Sequence, residues 1–253
     1  MFEAVGTDEV YEALRSEVNP RCQEAKRLVQ ELWRRTTTHL DSDLPSKMAH
    51  EFHQRFWELY LAAALLDTGL QLLPRMSARV VAGPDLCLTA EPGKRIWIEA
   101  VAASAGTGPD AVQRGVPGVV YDIPDDHIKL RLLNAFDEKY KKHGKYIQQG
   151  TVGISEPYII AINAAMVPSA SKEREVPRSI RALLPFGHSM VYLNRDSLQP
   201  VGSGHEYQGT VGKLSGAAIP TTSFLNARYN SVSAVLYSCV DYNAPQNLDH
   251  CIS

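Results

Sequence analysis

The stretch GPDLCLTAEPGKRIWIEAVAAS, residues 83–104, constrains the fold of this chain more than any other segment. Two short apolar runs flank Pro92-Gly93, a pair typical of a β-turn because proline fixes φ and glycine tolerates positive φ. The segment therefore predicts a β-hairpin. Each strand also contains a carboxylate, Asp85 on the first and Glu99 on the second, among residues otherwise suited to burial.

The length of the turn decides how the two acids are placed. A two-residue loop puts Asp85 opposite Ala100, whereas a three-residue loop puts Asp85 directly across from Glu99. Only the second register places both carboxylates on one face of the hairpin. The sequence leaves both registers open, although a bulge is common beside functional sites.

A carboxylate buried among Ile, Trp and Val costs several kcal/mol unless a cation or a metal compensates its charge. Two such carboxylates repel each other unless a divalent ion lies between them, and oxygen ligands suit Mg²⁺. A structural alternative is that Asp85 is a turn or cap residue and that Glu99 pairs with an arginine at a strand end.

A third acid lies in the segment KMAHEFHQRFWELYLAAALLDTG, which predicts a helix over 47–68 with Ser46 as its cap. Glu58 interrupts a run that is apolar on every side, so we expect this helix to be buried all round. Glu58 then needs a cation as well. An ion pair with Arg55, three residues earlier, is the structural alternative.

A long helix is predicted over 127–149. Placing residues at 100° intervals puts Lys139 in the middle of its apolar face, where a lysine must reach either solvent or a buried acid. Arg131 and Lys142 flank the same face. Residues 127–145 contain six Lys and Arg against two acids, a local positive region, although lysines on such a helix are commonly just a solvated surface.

The other elements complete an order of helix, three strands, helix and strand. We expect two amphipathic helices over 8–37 that break near Asn19-Pro20, and a weaker mixture of strands after residue 177. Further strands are expected at 70–74 and 78–81, before the hairpin, and in the continuous apolar run PYIIAINAA, 157–165.

Composition excludes several classes of protein. The 253 residues are 44% hydrophobic with a net charge of −2, so nucleic-acid binding requires a local basic patch. Four scattered cysteines argue against a zinc site or a disulfide framework. The acidic N-terminus is unlike a signal peptide, and no apolar run is long enough to span a bilayer, so we expect a cytoplasmic protein.

Other segments are given no function. The glycines of GSGHEYQGTVG, 202–212, lack the spacing of a phosphate-binding loop. His188 and His205 have no metal-ligand partners at a recognisable spacing. We interpret the cluster of Asp122, Asp125 and Asp126 as capping of the long helix.

The order of these elements and their acids resembles the PD-(D/E)XK, or restriction endonuclease-like, phosphodiesterase superfamily over residues 45–165. Pro84-Asp85 resembles the PD dipeptide, Glu99 the second acid, and Glu58 the acid often found on the first core helix. The resemblance implies an α/β fold, with an α-β-β-β-α-β core whose mixed central sheet is flanked by helices. It implies N-terminal helices over 1–44 and one domain over 45–253, in which 166–253 form a β-containing extension.

The resemblance implies a Mg²⁺-dependent DNA endonuclease, with Mn²⁺ as a substitute, in which Asp85, Glu99 and Glu58 bind the metal. Val101 stands where the superfamily has its lysine. Some members place that lysine on the following helix, so Lys139 is the expected replacement. Arg131 and Lys142 are expected to contact DNA phosphates, and cutting of both strands is compatible with a homodimer. The alternative is a degenerate site on the same fold, in a protein that binds nucleic acid or acts as a scaffold.

Overall fold

The computed structural model describes residues 1–78, 82–91, 93–116, 118–173 and 176–243. The helices are α1 (Glu9–Arg15), α2 (Pro20–Thr36), α3 (Leu44–Met48), α4 (Phe52–Asp67), α5 (Arg75–Ala78), α6 (Asp125–Gln148) and α7 (Arg178–Leu183). The strands are β1 (Leu86–Glu91), β2 (Lys94–Ala102), β3 (Tyr158–Asn163), β4 (Phe186–Leu193), β5 (Pro200–Tyr207), β6 (Thr210–Gly212), β7 (Ala218–Pro220) and β8 (Ala234–Ser238). The chain divides into two compact units. Unit 1 comprises 1–103, 135–166 and 231–253, and unit 2 comprises 104–134 and 167–230.

Unit 1 is built on a mixed sheet with the strand order β1-β2-β3-β8 in the described part of the chain. β1 is antiparallel to β2, whereas β2, β3 and β8 are mutually parallel. Parallel neighbours require a crossover connection, and α6 lies in the one between β2 and β3. The expectation of a mixed α/β chain with a mixed sheet flanked by helices is confirmed. β8 lies outside the range 45–165 that was expected to hold the core.

The two faces of β2 have different neighbours because side chains alternate along a strand. Ile98 and Ala100 belong to a hydrophobic core that includes α4 and the N-terminal helices. The indole nitrogen of Trp57 on α4 donates to the carbonyl of Ala161 on β3, 2.9 Å away, and fixes α4 on this face. Glu99 points to the opposite face, where it meets α6.

The N-terminal helices form where the sequence predicts them. Asp8 caps α1 through the backbone N–H groups of Val10 and Tyr11. Asn19 caps α2 by accepting from the N–H of Cys22, and Pro20 stands at the first helical position. Tyr11, Leu14, Val29 and Leu32 are buried in the core that α4 shares.

Two predictions before the hairpin are wrong. Ser46 caps no helix, since it lies inside α3, and the long helix begins only at Phe52. The strand expected at 70–74 is reduced to one bridge between Leu72 and Leu88, because α5 begins directly after Pro74. The strand expected at 78–81 starts within α5, and its residues 79–81 lie outside the described residues.

Unit 2 contains an ion cluster at the start of α6. Asp125 accepts two hydrogen bonds of 2.7 Å from Arg181 and one of 2.8 Å from Arg178, whose side chain is fully buried. Although burial alone would raise the pKa of Asp125, these arginines hold it below its usual value. The sequence was interpreted as giving the acids at the start of α6 a capping role, and the structure shows that Asp125 and Asp126 neutralise buried cations.

Candidate functional site

A bulge in the hairpin determines how the two acids are placed. Next to the turn Glu91 pairs with Lys94, and the register then shifts, so that Leu86 pairs with Ile98. Continuing this second register by one residue brings Asp85 across from Glu99. The structure therefore combines both predicted registers, one on each side of the bulge. Pro92 of the turn lies outside the described residues.

Glu99 is fully buried and is bound by three side chains of α6. The ammonium groups of Lys139 and Lys142 lie 3.1 and 2.6 Å from its Oε1. The hydroxyl of Tyr146 donates to its Oε2 over 3.2 Å. Residues 139, 142 and 146 follow at intervals of three and four, so one face of the helix presents all three donors to the carboxylate. The inward position predicted for Lys139 is thus observed.

The two lysines differ in their access to solvent. The side chain of Lys139 is 9% exposed and that of Lys142 is 42% exposed. Burial acts to lower the pKa of Lys142, but the charge of Glu99 and the hydrogen bond to it prevail and raise that pKa above its ordinary value. Lys142 is therefore cationic at neutral pH in this arrangement, and its side chain is far more exposed than that of Lys139.

Asp85 directly precedes β1, and its Oδ2 accepts a hydrogen bond of 2.8 Å from the backbone N–H of Ala100. Burial and the nearby negative charges of Glu99 and Glu58 raise the pKa of Asp85 well above its usual value. The structural alternative, in which Asp85 is a turn or cap residue, is therefore present in part. The Asp85 carboxylate accepts from a backbone N–H of β2 at a point that β1 does not reach. The charges of Glu99 and Glu58 act on Asp85 in the same direction as its burial does.

Glu58 on α4 is held by its own helix. Its Oε1 accepts hydrogen bonds from Arg55 at 2.6 Å and from Gln54 at 2.9 Å. The Arg55 ion pair that the sequence offered as the structural alternative is thus present. The Gln54 side chain also bonds to the carbonyl of Ala100 and the N–H of Ala102, so it holds Glu58 beside the free edge of β2.

These carboxylates decide whether the site can hold a divalent cation. No cluster of three potential metal ligands among His, Cys, Asp and Glu is assembled within the described residues. Mg²⁺ does not need one, because it is commonly bound by one or two carboxylates together with substrate phosphates and waters. Asp85 and Glu99 supply such a pair of oxygen ligands, and a cation would offset both the burial and the neighbouring negative charges that raise the pKa of Asp85. By ligand type these two residues match what Mg²⁺ takes. Glu99 is already paired with Lys139 and Lys142, as Glu58 is with Arg55.

The remaining sequence-predicted residues have definite positions. Val101 is buried on β2, at the position where the resemblance would put a lysine. Arg131 belongs to unit 2, where its Nε donates to the carbonyl of Ser104. Lys142, for which a phosphate contact is expected, donates to Glu99. Among the described residues the cationic partners of Glu99 are lysines of α6, and not the arginine at a strand end that the structural alternative named.

Sequence reasoning missed two polar residues of the site. Helical phasing puts Tyr146 on the inward face of α6, and the signal for its role was that a buried tyrosine hydroxyl needs a partner. Gln54 was not singled out. Its position four residues before Glu58, on the same helix face, was the available signal.

Comparison with known proteins identifies no relative. No protein-family model matches the chain, and neither a curated protein nor a solved structure shows detectable similarity to it. Within the described residues, no helix combines the length and the apolar character that a membrane span requires. The cytoplasmic location stays a prediction.

The first prediction concerns stability. Glu99→Gln should lower the free energy of unfolding by about 3–5 kcal/mol, because it leaves the buried Lys139 ammonium without a counter-charge. The double variant Glu99→Gln/Lys139→Met should recover part of that loss. Urea denaturation followed by circular dichroism measures both. Lys141→Met is the control, since the Lys141 side chain is 64% exposed and pairs with Asp137 of its own helix. Strict additivity of the two single changes would contradict the coupling.

The second prediction concerns pH. His143 is buried, stacks on Tyr158 with ring centroids 3.9 Å apart, and its Nε2 has no hydrogen-bond partner among the described residues. Burial lowers the pKa of His143, so the unfolded chain binds a proton more readily than the folded one. Its contribution to stability should therefore be lost as the pH falls below about 6.5, by at most ~1.4 kcal/mol per pH unit.

His143→Phe tests this directly, because phenylalanine keeps the stacking and removes the titrating group. Unfolding free energies of both proteins are compared at pH 7.5 and at about pH 5.5. The difference between variant and wild type should shift in favour of the variant at the lower pH. A difference that does not change with pH would show that His143 is protonated without cost to the fold.

Proposed function

We propose that this protein is a Mg²⁺-dependent DNA endonuclease of the restriction endonuclease-like type, which hydrolyses phosphodiester bonds. The observation that supports this most is the contact between the Lys139 ammonium and Glu99. A lysine missing from the strand is replaced by one that reaches the same carboxylate from the following helix. Two facing carboxylates and an ammonium group are the components that hydrolysis of a phosphodiester requires.

The residues have distinct proposed roles. Asp85 and Glu99 would hold the cation, with Glu58 assisting from α4. Bound Mg²⁺ supplies Lewis-acid activation of a water molecule. Lys139 orients that water and stabilises the negative charge that develops on the phosphate, because its ammonium is fixed beside Glu99 and shielded from solvent. Tyr146 holds the Glu99 carboxylate in position.

Lys142 and Arg131 are the proposed phosphate contacts. Lys142 suits this role because its half-exposed ammonium reaches solvent while it still borders the acids. An ammonium has three donors, so a hydrogen bond to Glu99 leaves donors for a phosphate oxygen. Arg131 uses its Nε for the carbonyl of Ser104, and its other guanidinium donors are the ones proposed to face a phosphate.

A second candidate is a protein on the same fold that binds nucleic acid without cutting it. One observation favours it: Glu99 and Glu58 both already accept hydrogen bonds from cationic side chains. Such a closed network of ion pairs is also what a site that has lost its chemistry would contain. Cleavage and binding assays separate the two candidates.

The third prediction is therefore about cleavage. With Mg²⁺ or Mn²⁺ the wild-type protein should nick or linearise supercoiled plasmid DNA, which gel electrophoresis detects. Asp85→Asn and Glu99→Gln should abolish cleavage, and Lys139→Met should slow it about 10²–10³-fold. Lys141→Met, at an exposed position on the same helix, should cleave as wild type does. Equal cleavage by wild type and Glu99→Gln would show that another protein or another site is responsible.

The fourth prediction is about binding. Lys142→Gln should weaken binding of duplex DNA uniformly across sequences and reduce the slope of log affinity against log salt by about 1. Fluorescence anisotropy with labelled DNA, in Ca²⁺ in place of Mg²⁺, measures this without cleavage. Lys145→Gln is the matched control on the same helix. DNA binding without cleavage would favour the second candidate, and an unchanged salt slope in Lys142→Gln would remove Lys142 from the interface.

A further inference from the structure

Gln54 on α4 bonds both to the third acid, Glu58, and to the strand β2 that carries Glu99. Its amide nitrogen donates to Oε1 of Glu58 at 2.9 Å and to the carbonyl of Ala100 at 3.2 Å. Its amide oxygen accepts from the backbone N–H of Ala102 at 2.8 Å. The reverse orientation of the amide would set its oxygen against two acceptors, so these three bonds fix the side chain in one orientation.

The backbone of Ala100 links Gln54 to both acids of the hairpin. The N–H group of Ala100 donates to Oδ2 of Asp85 at 2.8 Å, while its carbonyl accepts from Gln54. That N–H group belongs to the peptide bond between Glu99 and Ala100. Gln54 therefore anchors Glu58 to the same short stretch of backbone that carries Glu99 and holds Asp85.

Glu58 has a second donor, Arg55, which connects it to a different place. Arg55 donates to the same Oε1 of Glu58 at 2.6 Å and also pairs with Glu51, whose side chain is 56% exposed. Arg55 alone would thus tie Glu58 to an exposed residue of its own helix, whereas Gln54 ties it to β2. Because both donors bind Oε1, the other oxygen of Glu58, Oε2, accepts no hydrogen bond from any residue that the structure describes. Oε2 is the oxygen left for a cation.

We propose that Gln54 is a positioning residue of the candidate site, which holds Glu58 against β2 so that Oε2 of Glu58 completes the ligand set of the cation. This inference rests on the proposed nuclease function, in which Glu58 assists the two acids of the hairpin. Groups that hydrogen-bond to metal ligands orient those ligands, and their removal typically lowers metal affinity or activity about 10–100-fold. Gln54 therefore sets the affinity for the cation without contacting it.

The test is titration of the full chain with Mn²⁺, without DNA, measured by isothermal titration calorimetry. Gln54→Met keeps the length of the side chain and removes its three hydrogen bonds, so it should weaken Mn²⁺ binding about 10-fold. Glu58→Gln should weaken it at least as much. The double variant should bind no more weakly than Glu58→Gln alone, because Gln54 acts through Glu58. Gln30→Met is the control, since Gln30 is an exposed residue of α2, and it should bind as wild type does.

The plasmid assay gives a second readout, in which the Mg²⁺ concentration for half-maximal cleavage should rise by the same factor in Gln54→Met. Circular dichroism confirms that each variant is folded, and Gln54→Ala takes the place of Gln54→Met should that variant fail to fold.

Wild-type affinity for Mn²⁺ in the Gln54 variant would overturn the role of Gln54, and so would an additive further loss in the double variant. In both cases cleavage by the wild type leaves the proposed function standing. A wild type that neither binds Mn²⁺ nor cleaves DNA would overturn the proposed function and this inference with it.

Discussion

The buried carboxylate of Glu99 is the constraint on which the arrangement of unit 1 depends. Glu99 lies on β2, between β1 and β3, where no solvent reaches it. An uncompensated charge there would cost several kcal/mol, so the element that covers this face of the sheet must supply cations. α6 does so with Lys139 and Lys142. One interaction thus joins the helix to the sheet and also assembles the polar groups of the candidate site.

The backbone imposes a second constraint at the same place. β1 begins at Leu86, so the backbone groups of Ala100 and Ala102 extend past the end of their neighbouring strand and need other partners. The carboxylate of Asp85 and the amide of Gln54 provide them. Gln54 in turn holds Glu58. Satisfying one free strand edge therefore brings two further acids to the vicinity of Glu99.

Local patterns in the sequence were sufficient to predict two features of this arrangement. Helical phasing placed Lys139 on the inward face of α6, and the Pro-Gly pair identified the hairpin. The bulge between Thr89 and Glu91 could not be predicted, because it depends on how the whole hairpin packs. The short helix α5 and the position of β8 in the sheet depend on contacts between residues that are distant in the chain. In addition, a short apolar run in the sequence does not distinguish a helix from a strand. Gln54 was overlooked because its partners are backbone groups of another element.

The composition of the α6 face bears on whether this cluster is functional, as we propose, or only structural. A single ammonium compensates a single carboxylate, and Lys139 already does this for Glu99 from a buried position. Replacing a buried ion pair by apolar residues is often neutral or stabilising, so stability alone gives little reason to keep one. Lys142 adds a second ammonium to the same oxygen, with 42% of its side chain exposed. Its charge also acts on the buried Asp85, and under the proposed function the same ammonium is suited to a phosphate anion that approaches beside Asp85 and Glu99.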